Sequence, residues 1–235
     1  MTIDKDSFDT LAIVFAVAAV VIWAAGKFIS KRWLKLIIIS FAGVFCAWQV
    51  FFFRVPDRQG VGNEVLVSSV ADGEVVIVDE YFENEFLKRP CKRVCVYMNF
   101  FDVHANFWPV TGQVCYYQYH PGKHLMAFKP KASEDNEHFS ACIRTKDGNE
   151  VLFKQIAGTF ARRIVNYSTD SLQVVAGEQC GVIKFGSRVD MFLPLSADVK
   201  VKVGEKVRAC ESLIAELAPA QQEETIPAVS ADPAE

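Results

Sequence analysis

Two long apolar runs open the chain, and the pattern then changes character. From Phe8 to Ala25 nearly every residue is apolar, and a second run extends from Leu34 to Phe53, interrupted by Lys35 near its start and afterwards only by small or neutral polar residues. At about 1.5 Å of rise per residue, each run is close to the length that crosses roughly 30 Å of hydrocarbon. Both are apolar on all faces, which predicts a hydrophobic helical hairpin rather than two one-sided helices of a soluble core. The first run is too long and too poorly ended for a simple signal peptide. Trp23, Trp33, Trp48 and Phe51-Phe52-Phe53 are the aromatic types that gather at a water–lipid boundary.

Arg54-Val55-Pro56-Asp57-Arg58 ends the second helix, because proline disfavours the helical conformation of the residue before it. From Glu64 onward the pattern becomes short β-rich runs bounded by Gly, Pro, Asn or Asp. Strands are expected at Val65–Val70, Glu74–Val78, Val94–Met98, Gln113–Tyr117, Val151–Ile156 and Gln173–Val175. A helix is expected over Ala157–Asn166. Val199 to Leu217 alternates at period two around a Gly-Glu turn, like the strand–turn–strand of biotinyl- and lipoyl-type sandwiches, but without a carrier lysine at the turn. The tail from Ala218, rich in Ala, Pro, Gln and Glu, has the composition of a disordered segment. The expected architecture is a mainly β (α+β) catalytic domain with lipoyl-like sandwich features, preceded by an N-terminal hydrophobic helical hairpin. Its parts are an anchor at 1–58, a domain at 59–217 and a tail at 218–235.

Charge changes this picture little. A formal net charge of −3 gives no reason to expect a nucleic-acid partner. The seven cysteines (46, 91, 95, 115, 142, 180 and 210) form an odd set without a Cys-x-x-Cys pair, which fits reduced thiols facing the cytosol. Lys27, Lys31 and Arg32 between the apolar runs would place that loop in the cytoplasm and send the following domain outside. A hairpin dipping into one leaflet satisfies both signals, with the domain on the cytoplasmic side and the basic loop at anionic headgroups. Of the four histidines, His120 and His124 are four apart, but Pro121-Gly122 between them breaks the helix that would aim both at one metal, so no metal is expected.

The candidate chemistry lies in Phe185-Gly186-Ser187-Arg188-Val189-Asp190. A Gly-Ser pair is usually an ordinary turn. It is also the pair that an N→O acyl shift needs: the Ser187 hydroxyl attacks the Gly186 carbonyl, which no Cβ obstructs. β-Elimination of the ester leaves dehydroalanine at 187, and its hydrolysis leaves a pyruvoyl group. The chain would then consist of a β fragment ending at Gly186 and an α fragment starting at position 187.

Ala71-Asp72-Gly73, Asp102-Val103-His104, Gln155-Ile156-Ala157-Gly158, Ala161-Arg162-Arg163-Ile164 and the Gly186-Ser187 site occur in this order over most of the chain. In that order they resemble the phosphatidylserine decarboxylases of the compact type. The resemblance implies a proenzyme whose α and β fragments remain together as a heterodimer, with higher homo-oligomers left open. It implies a covalent pyruvoyl cofactor derived from Ser187 that decarboxylates phosphatidylserine in the bilayer to phosphatidylethanolamine through a Schiff base. It carries His104 over as the proton acceptor and Asp72 as the carboxylate that orients it, with Asp102 as a rival two residues away. Arg188, Arg162 and Arg163 are candidates for the phosphodiester. Phe107 departs from the family, which has a basic residue or a second histidine there, and the group that meets the substrate's anion stays open. Two other readings remain: a non-catalytic membrane-anchored β-sandwich adaptor, and a pyruvoyl decarboxylase for another serine lipid or amino acid.

Overall fold

The computed structural model describes residues 1–125, 135–158, 163–184 and 187–219, with the backbone alone at 187. Strand β1 (Thr2–Ile3) and a 3₁₀ turn lead into α1 (Phe8–Phe28), which folds back on α2 (Arg32–Phe52); β2 (Arg54–Val55) then follows. Beyond it come β3 (Leu66–Ser68), β4 (Gly73–Glu83), β5 (Arg89–Met98), β6 (Ala105–Phe107), β7 (Gly112–His120), β8 (His138–Arg144), β9 (Glu150–Ala157) and β10 (Arg163–Asn166). The remaining strands are β11 (Gln173–Val174), β12 (Gln179–Lys184), β13 (Ser187–Leu193), β14 (Asp198–Val199), β15 (Lys206–Val207) and β16 (Leu213–Glu216). The fold is mainly β with an N-terminal helical hairpin, as the alternation of apolar residues required.

Both helices are long and apolar enough to cross a bilayer, and only 11 % of the apolar window of each is buried. Their Ile13, Phe15, Val20, Ile37, Phe41 and Val44 lie exposed. Such a surface is stable only against lipid or another apolar surface. At the base of the hairpin the arrangement reverses. Phe52 and Phe53 are fully buried with Leu11, and β1 pairs antiparallel with β2 beside them.

Among the described residues the large sheet runs β11-β7-β8-β9-β13-β5-β4-β15, with antiparallel neighbours throughout. A second sheet, β10-β12-β6, and a third, β14-β16-β3, complete the domain. Val96, Phe153, Val189, Met191, Ile183 and Ile214 belong to its main core. The described residues of the span Ala157–Asn166 form strands in place of the expected helix, and 159–162 lie outside the described residues. Ala157 ends β9, and Arg163–Asn166 forms β10, paired with β12 from Arg163↔Lys184 to Asn166↔Gly181. The β-branched Ile164-Val165 pair favours a pleated strand with a partner over a helical turn. Val199–Leu217 is no simple hairpin either: β15 joins β4 in the large sheet, while β14 and β16 pair in the third.

Ser187 opens β13 at the middle of the large sheet, in register with Ala157 on β9 and Met98 on β5. The preceding strand β12 belongs to the second sheet. Between Lys184 and Ser187 the chain therefore passes from one sheet to the other; Gly186 lies outside the described residues.

Candidate active site

Three motifs far apart in sequence converge where β13 begins. Met98, the partner of Ser187, ends β5, and six residues later the chain reaches His104. The carbonyl of His104 accepts the N–H of Ile183 at 3.2 Å, on the strand that leads toward Ser187. Asp72 precedes β4, whose Glu74 is in register with Tyr97, the neighbour of Met98. Gly73 makes that approach feasible, because a Cβ there would lie 2.1 Å from the Tyr97 carbonyl oxygen.

His104 is fully buried. Its Nδ1 lies 3.1 Å from the main-chain carbonyl of Asp102. A carbonyl can only accept, so Nδ1 carries the proton and Nε2 of the neutral ring presents a lone pair. Nε2 is buried and has no hydrogen-bond partner among the described residues. Phe52, the last residue of α2, stacks on the imidazole with centroids 4.0 Å apart and planes inclined by 30°. Burial dominates the electrostatics of the ring and pushes its pKa down from 6.5 to about 4; the Asp102 carbonyl and Asp72 oppose this, while Arg54 adds to it. A buried imidazole held neutral, with its basic nitrogen exposed only to the interior, is suited to accept one proton from a nearby group.

Neither candidate carboxylate orients His104 by hydrogen bonding; the backbone of Asp102 does. The Asp102 carboxylate accepts the N–H of Asn99 at 2.8 Å, and burial raises its pKa. The Asp72 carboxylate is taken by Arg58, through both guanidinium nitrogens with Nη2–Oδ2 at 2.8 Å, and by the N–H of Ala209 at 2.8 Å. The hydrogen bond to Asp72 raises the pKa of Arg58. The negative charge of Asp72 still acts on His104 through space.

Arg188 is also not where a headgroup could reach it. It is fully buried, and its Nε and Nη2 donate to the Asp190 carboxylate at 2.7 and 3.0 Å. Two residues of one strand, both fully buried, pair with each other, so the ion pair is part of the fold. Arg163 lies exposed at the start of β10, and Arg162 lies outside the described residues. Phe107 is buried against Val103, Ala105, Ala209 and Cys210, so it serves packing.

Several residues at the site gave no signal in the sequence. Arg58 and Phe52 belong to a linker and an apolar run, and only the tertiary fold brings them to Asp72 and His104. Asn106 and Gln155 are fully buried and linked, with Gln155 Nε2 donating to Asn106 Oδ1 at 2.7 Å and Asn166 Nδ2 donating to Gln155 Oε1 at 2.8 Å. This file of amides ties β6, β9 and β10 beside the start of β13; Gln155 stood in the Gln155-Ile156-Ala157-Gly158 motif, whereas Asn106 and Asn166 gave no signal. The His120–His124 pair does not converge. His120 meets Glu85 at 2.7 Å and stacks on His138, while His124 lies 3.6 Å from Glu137. Glu85 is compensated by Lys154 at 2.7 Å.

Comparison with known proteins agrees with this arrangement of motifs. A family model described as phosphatidylserine decarboxylase matches residues 45–215. The chain is 45 % identical over 176 residues to a phosphatidylserine decarboxylase proenzyme of Amoebophilus asiaticus, covering 75 % of this chain and 78 % of that one. It is 43 % identical over 185 residues to the proenzyme of Syntrophus aciditrophicus, covering 79 % and 85 %. With that of Cytophaga hutchinsonii it shares 42 % identity over 165 residues, covering 70 % and 75 %.

Proposed function

The chain belongs to the phosphatidylserine decarboxylase family, and from that premise we propose that it cuts itself between Gly186 and Ser187 and then converts phosphatidylserine to phosphatidylethanolamine at a pyruvoyl group formed from Ser187. The observation that carries this reading is His104: a buried, neutral imidazole whose Nδ1–H is held by a backbone carbonyl and whose Nε2 lone pair has no partner among the described residues.

As the Ser187 hydroxyl adds to the carbonyl carbon of Gly186, its proton passes to Nε2 of His104, and the amide nitrogen gains a proton as the C–N bond breaks. The product is an ester. Loss of the proton on Cα of residue 187 expels the Gly186 carboxylate, and hydrolysis of the dehydroalanine releases ammonia and leaves the ketone. Asp72 stabilises the protonated imidazole through its charge rather than by orienting the ring, since Arg58 and Ala209 hold its carboxylate. The pyruvoyl group supplies an electron sink for the pair released with carbon dioxide. His104 is then the group of this chain suited to return a proton to the substrate carbon. The α fragment stays bound after the cut, because β13 is hydrogen-bonded along both edges, to β5 and β9.

The helices α1 and α2 anchor the enzyme at the headgroup plane, where a two-chain lipid need not be extracted to react. All seven cysteines are unpaired thiols, which supports a domain on the cytoplasmic side. Intact-mass measurement tests the proposal: two fragments are expected, with the smaller blocked at its N-terminus, and Ser187→Ala should remain one inactive chain. An active wild-type preparation consisting of a single full-length chain would end it.

A further inference from the structure

Resting on the phosphatidylserine reading, we propose that Arg54 grips the anionic part of the lipid headgroup, making the last turn of the membrane anchor a wall of the substrate site.

Arg54 stands immediately after α2, two residues beyond the Phe52 that covers His104. Its side chain bridges the anchor and the histidine segment: Nη1 donates to the carbonyl of Phe51 at 2.7 Å and Nη2 to that of Phe101 at 3.0 Å. Of the five N–H donors that a guanidinium carries, these use two. The group lies over the Phe51 ring, 3.6 Å from its centroid. No carboxylate among the described residues lies within ion-pair distance of it. The nearby acidic groups are engaged elsewhere, Asp72 with Arg58 and Ala209, and Asp102 with the Asn99 N–H.

This sets Arg54 apart from the other described arginines. Arg58, Arg89, Arg93, Arg144, Arg188 and Arg208 each meet a carboxylate. Arg32 and Arg163 do not, but both are exposed. Arg54 is half-buried, and burial lowers its pKa. A half-buried cation without a counter-ion carries a desolvation cost that an incoming anion would offset.

Its position selects the anion. Around it stand the exposed rings of Phe51, Phe101 and Phe100, 43 %, 71 % and 37 % accessible, with Trp48 packed on Phe100. Aromatic side chains at the end of a membrane-length helix mark the headgroup level. Phosphatidylserine brings two anions there, a phosphodiester and a carboxylate, and either suits the free face of a guanidinium. Arg54 also lies near enough to His104 for its charge to act on the imidazole.

The test uses full-length, matured enzyme with phosphatidylserine in phosphatidylcholine vesicles, comparing wild type, Arg54→Gln and Arg54→Lys. Arg54→Gln should mature normally and raise KM about ten- to a hundredfold, the loss of one charge-assisted contact, with a much smaller change in kcat. Arg54→Lys should recover most of that loss. Phosphatidylethanolamine, which keeps the phosphodiester and lacks the carboxylate, identifies the anion held. Inhibition weakened in parallel by Arg54→Gln assigns the phosphodiester; unchanged inhibition assigns the carboxylate. Unchanged KM in Arg54→Gln overturns the inference, as does a loss of kcat equal in both variants, which marks a structural staple. Should Arg54→Gln fail to mature, phenylglyoxal labelling of wild type decides. Arg54 must be labelled in phosphatidylcholine vesicles and protected by phosphatidylserine, and equal labelling overturns the inference. A wild-type enzyme that does not decarboxylate phosphatidylserine at all refutes the underlying family reading instead.

Discussion

Replacing Phe52 should change the proton chemistry of His104, although the two residues are 52 positions apart and one belongs to the N-terminal apolar hairpin. Both side chains are fully buried, and they stack at 4.0 Å. The displacement of the imidazole pKa from 6.5 to about 4 corresponds to roughly 3 kcal/mol against charging the ring. Its largest cause is burial, and Phe52 is the ring laid over the imidazole. Phe52→Ala opens a space that water can enter, and recovery of even half the displacement would lift the pKa by about one pH unit. His104 accepts a proton only while neutral, so self-cleavage should fall off as pH drops through about 4 in wild type and through about 5 in the variant. The assay is a chase of precursor synthesised cell-free into nanodiscs, sampled on gels from about pH 3.5 to 7.5. Truncating a buried phenylalanine costs about 3–5 kcal/mol, so Phe52→Leu, which keeps most of the apolar volume, serves as a milder companion and should shift less. If both variants fold and their acid midpoints coincide with wild type, then the stacked ring does not set the basicity of His104, and the reasoning fails.

Other consequences follow from the same geometry. Arg58→Met leaves Asp72 nearly buried without its cation and should cost about 3 kcal/mol in thermal or denaturant unfolding; pairing it with Asp72→Asn should recover most of the loss, and a single variant as stable as wild type contradicts the ion pair's role. Gly73→Ala drives a Cβ to 2.1 Å from the Tyr97 carbonyl at a φ of +155°. Stability should drop by about 3 kcal/mol or more, with slowed maturation, and a neutral substitution would show that the Asp72 turn can move. His104 has a lower pKa folded than unfolded, so the folded chain binds fewer protons between pH 6.5 and about 4. Stability should therefore fall as pH drops through that window, by up to about 3 kcal/mol. His104→Gln should remove that acid sensitivity and remain uncut; an unchanged pH–stability curve or normal cleavage would remove the residue from its role.

The apolar hairpin and much of the sheet were legible because they depend on local pattern. Unbroken apolar runs can only be α1 and α2, and period-two segments such as Val94–Met98 and Val151–Ile156 became parts of β5 and β9. The pattern failed where partners decide. Ala157–Asn166 reads as a helical turn until β12 is present to pair with Ile164 and Val165. Val199–Leu217 has hairpin alternation, but its strands are claimed by β4 and β3. His104, Asp72 and Ser187 stood out through motif resemblance, and nothing local distinguishes them from a core histidine, a turn aspartate and a strand serine. Arg188 was misread for the same reason: a charge next to Ser187 looks available until Asp190, two residues along the same strand, is seen to hold it.

Why should the proposed lipid-processing site lean on the apolar hairpin? A tether would need only to keep the domain near the bilayer, and a mobile one would suffice. Here the base of the hairpin is welded in place instead. Asp4 accepts hydrogen bonds from Gln179 and Ser7, Lys184 donates to the Asp6 carbonyl and the Thr10 hydroxyl, and β1 pairs with β2. Lys184 ends the strand that approaches Ser187, and His104, under Phe52, accepts a hydrogen bond from Ile183 on that same strand. The strand leading to the reactive segment is therefore held by residues that precede position 53, directly at Lys184 and through His104 at Ile183. Such a join fixes the start of β13 relative to the helices, and with it, on the proposed function, the depth at which a headgroup would meet His104. Orientation set in the folded protein need not be recovered from the substrate's binding energy at each turnover. The same join dries the imidazole, and a dry imidazole stays neutral. Hairpin base and candidate site thus form one packed unit, in which the end of α2 supplies the ring that covers His104 and, on the reading proposed above, the arginine that meets the lipid.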